Sequence, residues 1–183
     1  MMRSRVLAVI AAAGFCMMVG SASAQSFSDA DRARVEARIS QLDAVISGGD
    51  LTGALEVVPP LMLQTIAERT GTTEAALVSA MREMIRIQLG DLTIVDYDMD
   101  LAAAVPTLTT DGSRTYLLIP TQLVMLVPDG RRFRVRSNTL AFEDGDDWYL
   151  VRVQEPSQVA LVRELWPAFV DVEFPAGVTE AVD

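Results

Sequence analysis

From Ser28 onward, apolar residues recur at helical spacing. Val35, Ile39, Leu42 and Ile46 follow one another at intervals of 4, 3 and 4 and form one stripe, with Arg32, Arg34, Glu36 and Arg38 mostly off it. Ser28 followed by Asp31 is a capping-box pattern, and Asp29 and Asp31 suit the positive end of a helix. Gly48-Gly49 ends that helix, and Asp50 can cap a short one running to about Glu56. Proline is tolerated in a first helical turn, so Pro59-Pro60 predicts a break and a new helix from Pro60 to Arg69. Thr72 or Thr73 caps a further helix that stops at Gly90. Its apolar side carries Leu77, Val78, Met81, Met84, Ile85 and Leu89, with Arg82, Glu83 and Arg86 opposite.

After Gly90 the period changes to two. Asp111-Gly112, Asp129-Gly130 and Asp144-Gly145-Asp146 are turn signals between strands expected at about 92–108, 114–127, 131–142 and 147–154. Pro156 opens a short helix ending at Trp166, before Pro167, and residues 175–183 read as a frayed tail. Helices followed by an antiparallel meander of about four strands define an α+β fold in a single domain spanning 25–174.

Strand parity assigns the faces. With Pro128-Asp129-Gly130 as a three-residue loop, Met125 faces Phe133, Leu123 faces Val135 and Ile119 faces Thr139, so one face is apolar. The other pairs Leu126, Val124 and Gln122 with Arg132, Arg134 and Arg136. The same logic turns Tyr97, Met99, Leu101 and Val105 inward, and Tyr149, Val151 and Val153 with them. Met99, Phe133 and Tyr149 are then the candidate lining of an apolar cleft that takes a small apolar ligand. On the outer face, Tyr116, Leu118, Leu140, Phe142, Trp148 and Leu150 form a patch that a monomer rarely leaves wet. Either the C-terminal segment (Trp166, Phe169, Phe174) covers it, or a second subunit does, making it a homodimer interface. Pro120 lies mid-strand, where it cannot donate to a ladder; a bulge there would flip Tyr116 and Leu118.

The N-terminus reads as an address. Arg3 and Arg5 precede an uncharged run of 14 residues, Val6 to Val19, too short for a membrane span. Ala22-Ser23-Ala24 is a signal-peptidase pattern, so residues 1–24 are expected to be removed between Ala24 and Gln25, sending the protein to the periplasm or outside the cell. The remaining 159 residues (183 less the 24 removed) hold 13 arginines and 25 acids, a net charge of −12, and no second apolar run able to span a membrane. That charge argues against nucleic acid, which needs a basic footprint.

Composition removes much chemistry. There is no histidine, no lysine, and no cysteine after Cys16. Ser-His-Asp and Cys-His machinery, ordinary zinc sites and Schiff bases are excluded, and no cofactor is expected. Asp96, Asp98 and Asp100 form an acidic row, but alternate carboxylates on a strand stand about 7 Å apart, too wide for one cation, so the row reads as a solvated face. Glu143 to Asp147 lacks the spacing of a calcium loop and is explained by turn chemistry. Arg131, Arg132, Arg134 and Arg136 read as a charged strand face.

A helical front half followed by long strands ending in Asp146-Asp147-Trp148-Tyr149-Leu150-Val151 resembles the nuclear transport factor 2-like superfamily over residues 29–154. The resemblance implies a conical fold with a pocket between helices and sheet, and dimers through the sheet face. No catalytic motif of that superfamily matches. The expected function is an exported, non-catalytic binding or interaction module. The alternative is a small isomerase or hydrolase using a buried aspartate or glutamate with a tyrosine partner.

Overall fold

The computed structural model describes residues 27–182, so the expected cleavage at Ala24–Gln25 lies outside the described residues. The front half contains α1 (Asp29–Ser47), a 3-10 turn (Leu51–Val57), α2 (Pro60–Arg69) and α3 (Glu74–Leu89). The strands are β1 (Thr93–Met99), β2 (Thr107–Leu108), β3 (Thr115–Leu126), β4 (Arg132–Asp144), β5 (Asp147–Arg152) and β6 (Val178–Val182), with α4 (Pro156–Leu165) between β5 and β6. The caps are those the residue types require. Ser28 and Asp31 close a capping box, Asp50 accepts from Thr52 N–H, Thr73 accepts from Ala76 N–H, and Pro60 opens α2.

The sheet is a curled antiparallel half-barrel in the order β1-β3-β4-β5, with β2 added to β3 and β6 to β4. The β3–β4 register is the one the Pro128-Asp129-Gly130 loop dictates: Met125 opposite Phe133, Leu123 opposite Val135, Ile119 opposite Thr139. It runs without a bulge past Pro120, and the reason is geometric. A strand residue's N–H and C=O point to the same side, and the Pro120 carbonyl accepts from Asp100 N–H at 2.9 Å. The missing donor therefore faces β1, where β1 has already ended, and no β3–β4 bond is lost. The irregularity sits instead in β1, between Ile94 and Asp96.

Each face of the sheet has its own core. On one, Val35 of α1 packs with Met99, Leu101, Leu117, Ile119, Ala141, Trp148 and Leu150, flanked by Ile39 and Leu42. On the other, Tyr116, Leu140, Phe142, Val151 and Val153 pack beneath Val162, Trp166, Phe169 and Val172. The outer patch is thus covered by the chain's own C-terminal segment, as one of the two expectations had it. Phe142 and Leu140 are fully buried by it, and these residues are not free for a second subunit. Phe142 meets Trp166 and Phe169 edge to face, at 4.7 and 5.2 Å between ring centroids. Residues 51–57 connect the two sides, Val57 packing with the α1 core and Val58 against the other.

Four expectations need correction. The β4–β5 turn has two residues, Gly145 and Asp146, because Asp144 pairs with Asp147. Gly145 takes φ +67°, the positive value this two-residue hairpin requires at its first central position. One residue fewer in the turn inverts the parity of β5: Trp148 and Leu150 join the α1 side, and Tyr149 and Val151 join Phe142 and Leu140. The expected strand 92–108 breaks at residues 100–106, where Asp100 accepts from Ala103 N–H, and Val105 is 72% exposed, not inward. The supposed frayed tail is a strand: Val178–Val182 pairs with Arg132–Arg136, and Glu180 bonds Arg134 and Arg136. Finally, α3 buries no residue. It rests on α2 and the 51–57 turn, leaving Met84 and Ile87 exposed.

Candidate functional site

The three residues expected to line an apolar cleft do not meet. Met99 is buried beneath α1. Phe133 is half-buried at the far end of β4, under the Arg131 guanidinium. Tyr149 lies opposite Phe142, on the other face and nine positions along β4 from Phe133, about 30 Å at strand rise.

A cleft forms elsewhere, where three local signals converge. The capping box presents Asp31 on the first turn of α1. The Gly112 turn, closed by Asp111 accepting from Ser113 N–H, presents Ser113 and Arg114 at the start of β3. The two-residue Gly145 turn sets Trp148 beside them. With Phe27 and Glu143 these residues enclose a cavity of about 420 Å³, within the size range of small-molecule sites.

Its walls are held by arginines. Arg34 bridges Asp31 at 3.0 Å and Glu143 at 3.1 Å. Arg114 donates to the Glu143 carbonyl at 2.6 Å and to Asp144 Oδ1 at 3.3 Å, and Asp144 also accepts from Trp166 Nε1 on the opposite side of the sheet. Arg38 donates to the Trp148 carbonyl and pairs with Asp147. The acidic run Glu143–Asp147 is therefore engaged by protein cations at three of its members, and no metal-holding cluster occurs among the described residues. The Asp96–Asp100 row is likewise ordinary: Asp96 accepts from Gln122 and Asp100 caps its turn.

Trp148 stands apart. It is 2% exposed and lines the cavity, yet its Nε1 has no hydrogen-bond partner among the described residues. A buried unmade donor costs about 1–3 kcal/mol. Hydrogen bonds from Ser28 hold the Asp31 carboxyl below its ordinary range, with burial opposing; the nearby indole and Arg34 add smaller pulls in the same direction. The indole thus lies near enough to Asp31 to act on its titration, but outside hydrogen-bond geometry. Phe27 packs edge-on to the indole at 5.5 Å.

The pairing of an acid with a tyrosine, needed by the enzymatic alternative, is not built here. Asp31 is held as an anion, which makes it a weak base. Burial, assisted by Asp43, pushes the Tyr97 phenol above its ordinary range. But Tyr97 sits opposite Leu123, whose partner Val135 is eight positions along β4 from Glu143, about 25 Å at strand rise. Sequence reasoning singled out Trp148 only as an interface residue; its place in a cleft follows from the corrected parity of β5. No family model, curated protein or solved structure matches this chain.

Proposed function

We propose that the protein is an exported, non-catalytic binding module whose ligand sits in the Trp148 cleft. The unpaired indole N–H in a cavity of ligand size carries the reading: a ligand acceptor there would satisfy a donor the fold leaves unmet. The N-terminal charge, apolar run and Ala22-Ser23-Ala24 pattern support export. The curled sheet with a helix on one face is in keeping with the conical folds the sequence resembles. The face through which such folds pair is occupied by α4 and Phe169, so the reading is of a monomer.

Native mass spectrometry of the protein purified from the cell envelope tests both parts. The expected result is a chain starting at Gln25 that carries a bound small molecule, lost on Trp148→Phe. A bare chain that also retains residues 1–24 would overturn the proposal.

A further inference from the structure

The unmet indole and the carboxylate beside it constrain the ligand's chemistry. An indole N–H only donates, and an ionised carboxylate only accepts. Trp148 Nε1 and Asp31 line one cavity without bonding each other. A ligand carboxylate would satisfy the indole and repel Asp31. A ligand ammonium would satisfy Asp31 and leave the indole unmet. A hydroxyl does both at one oxygen, accepting from Nε1 and donating to Asp31. The rest of the wall repeats this mixed character: Glu143 accepts, Arg114 donates, and the Ser113 hydroxyl does either. The Phe27 ring adds an apolar surface for the C–H face of a ring.

Resting on the binding reading above, we infer that the cleft takes a neutral saccharide, with one sugar hydroxyl bridging Trp148 Nε1 and the Asp31 carboxylate. Several hydroxyls on a rigid ring match alternating donors and acceptors at less entropic cost than a flexible polyol.

The chain has two tryptophans, so its indole N–H spectrum is simple to read. Trp166 Nε1 is held by Asp144 at 3.1 Å and serves as the internal control. The ¹⁵N-labelled chain is titrated with a panel of neutral mono- and disaccharides headed by methyl glucoside and N-acetylglucosamine, and separately with acetate and with methylammonium. The expected result is a saturable shift of the Trp148 indole signal with a sugar and not with either ion, the Trp166 signal staying in place. Trp148→Phe keeps a ring in the core and removes the donor; read at the Gly145 amide, it weakens sugar binding roughly three- to tenfold. Asp31→Asn weakens it similarly, and Arg82→Ala on α3 leaves it unchanged. If an ion saturates the Trp148 signal and no sugar does, the saccharide inference fails while the cleft remains a binding site. If nothing moves that signal, both fall. Sugar binding that survives Trp148→Phe at full strength also overturns the inference.

Discussion

The C-terminal segment closes one whole side of the sheet, and Phe169→Ala measures how firmly. Phe169 is fully buried, with its ring 5.2 Å from Phe142 and 5.8 Å from Tyr116, both edge to face. Truncating a buried phenylalanine costs about 3–5 kcal/mol, transfer and residual cavity together. The two aromatic pairs put this position in the upper half of that range. For a chain of this size the loss corresponds to a fall in Tm of roughly 10 °C. Urea unfolding followed by far-UV circular dichroism checks it: the midpoint moves down while the slope stays unchanged. A loss under about 1 kcal/mol would mean that the segment is not packed on the sheet, and the proposed monomer would then lose its basis.

Three further outcomes follow from particular contacts. Arg38→Ala removes the bond to the Trp148 carbonyl, the pair with Asp147 and the stacking on Tyr149, so it should cost about 1–2 kcal/mol in urea unfolding; a neutral effect would contradict the anchoring of α1 to β5. Asp31, Asp50, Asp111 and Asp129 all titrate below the ordinary value of 3.8 in the folded chain, through hydrogen bonds from Ser28, Thr52, Thr109 and Arg131 first. Groups lowered on folding contribute stability above about pH 4 and lose it as pH falls through their folded values. The urea midpoint should therefore drop on acidification below pH 4, and less steeply in Asp31→Asn than in the wild type; equal slopes would refute the assignment. Deleting residues 175–183 should raise amide hydrogen exchange at Arg132–Arg136, which β6 now covers, and leave Thr139–Asp144 protected by β5.

Local signals carried far in this chain, and parity carried only as far as the turns were read correctly. Ser28-Asp31, Pro60, Thr73 and Pro156 mark helix starts where they stand, because caps are decided by residues a few positions apart. The β3–β4 register was legible because only one pairing puts Leu123, Met125, Val135 and Phe133 together. Asp144-Gly145-Asp146 was ambiguous between two and three turn residues, and that one residue moved Trp148 and Tyr149 to opposite faces from those expected. β6 was invisible because Val178–Val182 is short and its pairing rests on distant partners, Glu180 with Arg134 and Arg136. The cleft combines three such signals, each readable alone, whose meeting depends on the curl of the sheet.

A high-resolution crystal structure grown with the saccharide that moves the Trp148 indole signal tests the site most directly. The expected density is a ligand oxygen about 2.9 Å from Trp148 Nε1, within hydrogen-bond reach of Asp31 as well. An indole bonded straight to the Asp31 carboxylate, with Phe27 and Ser113 closed over it and no room for a guest, would contradict the account.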